Sequence, residues 1–184
     1  MSGPWSTRAN ALTLLRLALA PALAWALLAD EPLWAAGCFG LAVATDLLDG
    51  WVARRFDEVS PLGGLLDHAV DATLVTCGSA ALAWQGLLPA LLPALIAIAF
   101  LQYALDSRLF PGASLRGSVL GRWNGIAYYG VVGIPIVRDL LGLGWPGPGL
   151  LQGLGWLLVA SSLASIVDRL RALRRARARQ AGSE

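Results

Sequence analysis

The sequence predicts an all-α protein, an integral membrane bundle of six transmembrane helices, and three observations carry that expectation. The first is composition: of 184 residues, 57% are hydrophobic and 14% charged, with a mean hydropathy of +0.62. A soluble domain usually carries about 25% charged residues. With so few, the outer face of a chain this size is expected to meet lipid. The second is the recurrence of apolar runs close to the roughly 20 residues that a helix needs to cross a bilayer. The third is that arginine collects in alternate connections. The same composition excludes a soluble globular domain and a disordered chain.

The runs fall at approximately 11–29, 33–54, 65–86, 88–107, 117–138 and 150–168. Hydrocarbon offers no partner to an exposed backbone group, so each is expected to be helical. Arg8 before the first run and the Ala24-Trp25-Ala26 triplet within it also suit a cleaved signal peptide. Cleavage would leave an odd number of spans with the basic tail on the wrong side, so the run is read as a span. Asp30-Glu31-Pro32 ends it, and Arg55 to Gly64 separates the second run from the third. Only a Gly86-Leu-Leu-Pro89 corner divides the third from the fourth. Ser107 to Arg116 and the Gly/Pro-rich Asp139 to Gly149 bound the fifth. With the N-terminus inside, Arg8, Arg54, Arg55, Arg108, Arg116, Arg122 and the tail residues Arg169, Arg171, Arg174, Arg175, Arg177 and Arg179 are cytoplasmic, which is twelve of the fourteen basic residues. Arg138 lies opposite and Arg16 inside the first span. That bias places both termini in the cytoplasm. The tail 169–184 reads first as a topology anchor and second as a helical extension drawn to anionic head groups. Trp5, Trp34, Trp84 and Trp145, near span ends, read as interfacial anchors. One domain is expected over 1–184.

Several function classes drop out. A net charge of +2 is too small to argue for nucleic acid. Every basic residue is Arg, which excludes a Gly-Lys-Ser/Thr phosphate loop and Schiff-base chemistry. Cys38 and Cys77 lie in apolar runs far from His68, the single histidine. Neither a disulfide framework nor a zinc site is expected.

Four acids stand out by position: Asp46 and Asp49 near the end of the second run, Asp67 and Asp71 near the start of the third. An Asp at the centre of a spanning helix costs roughly 2.5–3.5 kcal/mol, less near the interface. Spacings of three and four residues put each pair on one helix face. The short connection predicts that the two helices are antiparallel neighbours, so the pairs converge at one cytoplasmic depth. Protons or a cation must then hold four like charges together. All-oxygen ligands select hard cations, chiefly Mg²⁺ or Mn²⁺, and two such ions about 3.5–4 Å apart stabilise the attacking and leaving oxygens of a displacement at phosphorus. Solvation at helix ends explains one such pair comfortably and two aligned pairs poorly. Gly50, Ala53 and the Ser60-Pro61-Leu62-Gly63-Gly64 turn either admit a ligand close to the backbone or serve helix packing.

The run Asp46-Leu-Leu-Asp49-Gly50-Trp-Val-Ala53-Arg54, eight further residues, then Gly63-Gly-Leu-Leu-Asp67-His-Ala-Val-Asp71 resembles the complete signature of the CDP-alcohol phosphotransferase family, D-x-x-D-G-x-x-A-R-x8-G-x-x-x-D-x-x-x-D. Asn10-Ala-Leu-Thr13-Leu-Leu-Arg16 with Pro21 is similar to the family's opening segment. The resemblance implies transfer of a phosphatidyl-type group from a CDP-linked lipid, such as CDP-diacylglycerol, to a small alcohol, with release of CMP. It implies that Asp46, Asp49, Asp67 and Asp71 hold two Mg²⁺ or Mn²⁺ ions, and that Asp71 is also the general base. Gly50, Ala53 and Gly63 would border the nucleotide, with Arg54 near its phosphates. A homodimer embedded in membrane lipid is expected from the same resemblance. Arg122 stands where many members have Lys, and with Arg116 it is a candidate phosphate ligand, although cytoplasmic arginines are also expected from topology. Asp67-His68-Ala-Val-Asp71-Ala72 and Gln102-Tyr103 depart from the pattern of members that use glycerol 3-phosphate, so that acceptor is not implied. His68 lies about 100° round the helix from Asp67 and is expected to pack or line an interface.

Two other classes stay open on the sequence. A cation or proton transporter would use intramembrane acids, but would distribute them through the membrane depth. A non-catalytic protein would keep the pocket and only bind nucleotide lipid.

Overall fold

The computed structural model describes residues 8–55, 61–109 and 119–181. These form six helices, α1 (Arg8–Leu28), α2 (Pro32–Arg55), α3 (Pro61–Trp84), α4 (Leu91–Leu109), α5 (Val119–Leu140) and α6 (Pro148–Ala181), with no strand among the described residues. Proline opens α2, α3 and α6, where its fixed φ suits the first turn and its missing N–H costs nothing. The C-termini of α1, α3 and α5 close in the same way. In each, one amide reaches back five residues and the preceding amide three: Glu31 N to Ala26 O and Asp30 N to Leu27 O, Leu87 N to Leu82 O and Gly86 N to Ala83 O, Leu143 N to Arg138 O and Gly142 N to Asp139 O. This closure needs a left-handed residue. Gly86 (φ 75°) and Gly142 (φ 62°) supply it, and at the first corner Asp30 does so at φ 53°.

The helices close into a ring, α1 on α3, α3 on α4, α4 on α6, α6 on α5, α5 on α2 and α2 on α1, with α3 also touching α5 across it. Leu23, Leu74, Leu82, Leu92, Val132 and Ile136 are fully buried along its axis. The expectation that α2 and α3 are packed neighbours needs correcting. Among the described residues each packs extensively on α1 and not on the other. Asp46 of α2 and Asp67 and Asp71 of α3 meet instead on Arg16 of α1, the helix that packs on both.

Helix boundaries differ from the predicted runs at several places: α1 begins at Arg8 rather than 11 and α3 at Pro61 rather than 65, and two further differences lie in α4 and α6. The fourth helix begins at Leu91 rather than 88, because the turn through Pro89 precedes it. The sixth does not stop at 168 but continues to Ala181, since the tail is built of Arg, Ala and Leu, good helix formers, with no Gly or Pro before Gly182. One helix among the described residues, Pro148–Ala172, is long and apolar enough to cross a membrane. The apolar segments Leu12–Leu28, Pro32–Leu48 and Leu91–Leu105 are shorter, and Asp67, Asp71, Arg122 and Arg138 interrupt α3 and α5.

Where α6 crosses the α3–α4 corner, Gln152 Nε2 donates to Gly86 O at 2.8 Å. A Cβ on Gly155 would land on the Pro89 ring, 3.3 Å from Leu88 Cδ2, whereas one on Gly153 meets nothing within 4 Å. Gly155→Ala is therefore expected to cost about 1–3 kcal/mol by overpacking and to lower the Tm of the detergent-solubilised protein by several degrees. Gly153→Ala leaves Tm unchanged or slightly raised.

Candidate active site

α1, α2 and α3 bring charge to one level of the bundle. Arg16 has 0% exposure. A guanidinium removed from solvent is tolerable only with close counter-charges, and Arg16 finds three. Its Nη1 lies 2.9 Å from Asp46 Oδ1 and 2.9 Å from Asp67 Oδ1 and also contacts Asp71 Oδ1. The carboxylates themselves remain partly open, with side-chain exposures of 36%, 28% and 25%. A ligand oxygen from each lies within 4.8 Å of the others. Oxygen-only donors converging at that distance, accessible on one side and in excess over the resident cation, suit a hard divalent ion. Tyr129 of α5 donates its hydroxyl to Asp71 Oδ1 at 2.8 Å, which fixes the orientation of that carboxylate from across the ring.

The structure brings Asp46, Asp67 and Asp71 together, through Arg16 as their common partner rather than through direct packing of α2 on α3. The sequence reading assigned neither Arg16 nor Tyr129 a place in the site. Arg16 carried a usable signal: an arginine inside an apolar helix must pair, and the acids of the next two helices are the natural partners. For Tyr129 no such signal exists, because a tyrosine 58 residues from Asp71 is one of several in apolar helices. Asp49, Gly50, Ala53 and Arg54 are on α2, but their side chains are outside the described set, and Arg116 is outside the described residues. Gly63 is in the first turn of α3, half-buried. His68 is half-exposed, its Nδ1 3.8 Å from Asp67 Oδ2, and its ring packs on Tyr103 at 5.3 Å between centroids. It lies against Tyr103 with more than half of its side chain exposed.

Two hollows meet at these acids. Between α2 and α5 runs a groove of about 700 Å³, lined by Phe39, Val43, Ile126, Gly130, Gly133 and Ile134 and reaching Asp46 and Tyr129. Along this groove α2 and α5 come close at Gly133, where a Cβ would sit 2.9 Å from the Phe39 ring. On the other side of Ile126 and Tyr129, a second cavity of about 540 Å³ opens among α3, α4, α5 and α6. It shares Asp46 and Tyr129, and adds Asp71, His68, Arg122 and Arg169. Polar pairs hold its α5–α6 wall: Tyr128 Oη and Ser162 Oγ lie 2.6 Å apart, and Ser161 Oγ donates to Asn124 Oδ1 at 2.6 Å.

Several known proteins are similar to this chain in sequence. A cardiolipin synthase (CMP-forming)/mitochondrial hydrolase fusion protein of Schizosaccharomyces pombe is 33% identical over 154 residues, 73% of this chain and 26% of that protein. The cardiolipin synthase (CMP-forming) of Rattus norvegicus is 39% identical over 87 residues, 47% of this chain and 28% of its own length. The chain therefore spans less than a third of either. A phosphatidylinositol phosphate synthase of Corynebacterium glutamicum is 30% identical over 174 residues, 88% of this chain and 75% of that protein. No solved structure matches. The family description CDP-alcohol phosphatidyltransferase matches residues 6–167, a span that holds Arg16 and all the converging acids, and the chain belongs to that family.

Proposed function

We propose that the protein is a multi-pass membrane transferase that moves a phosphatidyl-type group from CDP-diacylglycerol, or a similar CDP-linked donor, to an alcohol and releases CMP. The observation that carries this reading is the convergence of Asp46, Asp67 and Asp71 around Arg16 in a chain of this family. Asp49, one helical turn from Asp46, completes the set. Four carboxylates against one guanidinium leave three negative charges, enough to hold one or two Mg²⁺ or Mn²⁺ ions. Divalent ions there would neutralise the donor diphosphate and the departing phosphate.

The chain's own residues do the rest. Asp71, held by Tyr129, takes the proton of the acceptor hydroxyl. That oxygen bonds to the phosphorus carrying the diacylglyceryl group, and the bond from this phosphorus to the CMP phosphate oxygen breaks. The family signature assigns Gly50, Ala53 and Gly63 to the border of the nucleotide and Arg54 to its phosphates. The α2–α5 groove, largely apolar between Asp46 and Arg138, suits a donor acyl chain. A lipid-facing exterior is supported by large apolar side chains turned outward all round, including Trp84 at 86%, Trp145 at 74%, Leu33 at 72% and Leu157 at 69% exposure. The arginine bias puts the carboxylate end on the cytoplasmic side. The acids gather at that one end, against the spread that a transport pathway needs.

The test is CMP release by purified protein in liposomes with CDP-diacylglycerol, Mg²⁺ or Mn²⁺ and a panel of alcohols; absence of CMP with every acceptor and either ion overturns the reading. Asp71→Asn is expected to lower turnover by roughly 10²–10⁴-fold while binding of a fluorescent CDP-diacylglycerol analogue persists. Unchanged turnover in that variant would refute Asp71 as the base. Arg16→Leu leaves three or four acids without their buried cation and is expected to destabilise by about 3–5 kcal/mol. Mg²⁺ should restore part of that loss, so the variant's Tm rises more on adding Mg²⁺ than the wild type's does.

A further inference from the structure

We infer that the arginine-bearing end of α6 is a docking surface for anionic phospholipid, and that it enriches such lipid around the open side of the carboxylate site. The inference rests on the membrane placement proposed above and is independent of the transferase chemistry. Charge is divided unevenly along the chain. Residues 169–184 hold six arginines and one acid, a net of +5, whereas residues 1–168 hold eight arginines and eleven acids, a net of −3. An asymmetry of that kind marks a segment that meets an anionic surface. Topology does not call for it. Without the tail, Arg8, Arg54, Arg55, Arg108, Arg116 and Arg122 still stand against Arg138 alone, a bias that already orients a multi-pass chain. The tail arginines are surplus to that need, which moves the balance from topology anchor to head-group ligand.

The fold gives this surplus a shape. α6 does not end with its apolar stretch at Ala172 but continues unbroken to Ala181. Arg169 lines the cavity beside Asp71 and lies over the Tyr103 ring at 5.6 Å, so the extension starts at the level of the site. Residues 170–181 carry it about 18 Å further, past a head-group layer about 5–8 Å deep. In that placement Arg171, Arg174 and Arg175 fall at head-group depth. At about 100° per residue the six arginine positions are spread over every side of the helix axis, so no apolar face remains to sink the segment into hydrocarbon as an amphipathic surface helix does. Three or four positions separate Arg171 from Arg174 and Arg175, Arg174 from Arg177 and Arg175 from Arg179, spacings at which like charges repel on a helix. Such a helix gains from anions between its arginines. Phosphodiester head groups supply them, since a planar guanidinium takes two phosphate oxygens at once, and a bilayer surface offers them on every side of an upright helix.

The experiment reconstitutes the full chain in phosphatidylcholine bilayers and compares spin-labelled phosphatidylglycerol with spin-labelled phosphatidylcholine by electron paramagnetic resonance, which separates lipid held at the protein from bulk lipid. At low salt the wild type should favour phosphatidylglycerol about twofold or more averaged over all contacting lipid, because a site beside one arginine favours an anionic head group roughly fivefold and sites away from the tail dilute that. Salt of about 1 M, which shrinks the Debye length to about 3 Å, should bring the ratio close to one. Replacing Arg171, Arg174, Arg175, Arg177 and Arg179 by Gln, which keeps helix propensity and leaves Arg169 at the cavity, should do the same at low salt with the total of protein-held lipid unchanged. The milder pair Arg174→Gln and Arg177→Gln should give an intermediate ratio, and it decides the matter should the five-residue variant fail to reconstitute. Protein-held lipid without preference in the wild type overturns the inference, as does a preference that these replacements leave intact. No protein-held lipid of either kind overturns the membrane placement itself.

Discussion

The buried guanidinium of Arg16 is the contact on which the arrangement depends. It lies on α1, the helix that packs on both α2 and α3, and it reaches one carboxylate of α2 and two of α3. Without a cation, the acids of the two helices would push them apart. With it, they are held at a fixed separation that a direct helix–helix contact would not allow. Because the acids outnumber Arg16, the site keeps net negative charge after this pairing, and a structural interaction leaves a functional surplus. Partial exposure of the carboxylates beside a wholly buried Arg16 means that one side of the cluster is structural and the other is open to ligand.

The remainder of the bundle frames that open side. α5 is the divider: Tyr129 steadies Asp71, Ile126 separates the two hollows, and Gly133 lets α2 approach through Phe39. α6 closes the ring and ties to α5 by Ser161 and Ser162, hydroxyls that reach across where larger apolar side chains would fill the space. At the far end, three helix C-termini close by the same left-handed device, and Gln85 Nε2 ties α3 to α1 by donating to Leu27 O at 2.6 Å. The bundle is thus closely packed away from the acids and hollow beside them.

Much of this was legible in the residues, and the parts that were not have physical reasons. Apolar runs and their Pro, Gly and acidic breaks predicted six helices, because turn chemistry is local. The acid spacing predicted convergence of Asp46, Asp67 and Asp71, because helix periodicity is local too. That α2 and α3 stand apart was not legible: a short connection suggests adjacency, and only the balance of charge across three helices opposes it. The partnership of Tyr129 with Asp71 and the open amide of Asn124 depend on which face of α5 turns inward, which is set by its packing on α2, α3 and α6 rather than by its own sequence. The continuous α6 was half legible, since the tail reads first as a topology anchor and only second as a helical extension, which its Arg, Ala and Leu favour.

The central claim is that the Arg16-centred acids are a divalent-metal site, and Mn²⁺ binding measured by electron paramagnetic resonance on the purified protein tests it most directly. Titrated wild-type protein should remove free Mn²⁺ signal in a saturable way, and replacing both Asp46 and Asp67 by Asn should abolish that uptake without unfolding the helices. Saturable binding that survives the double replacement, or no uptake by the folded wild type, would contradict the account.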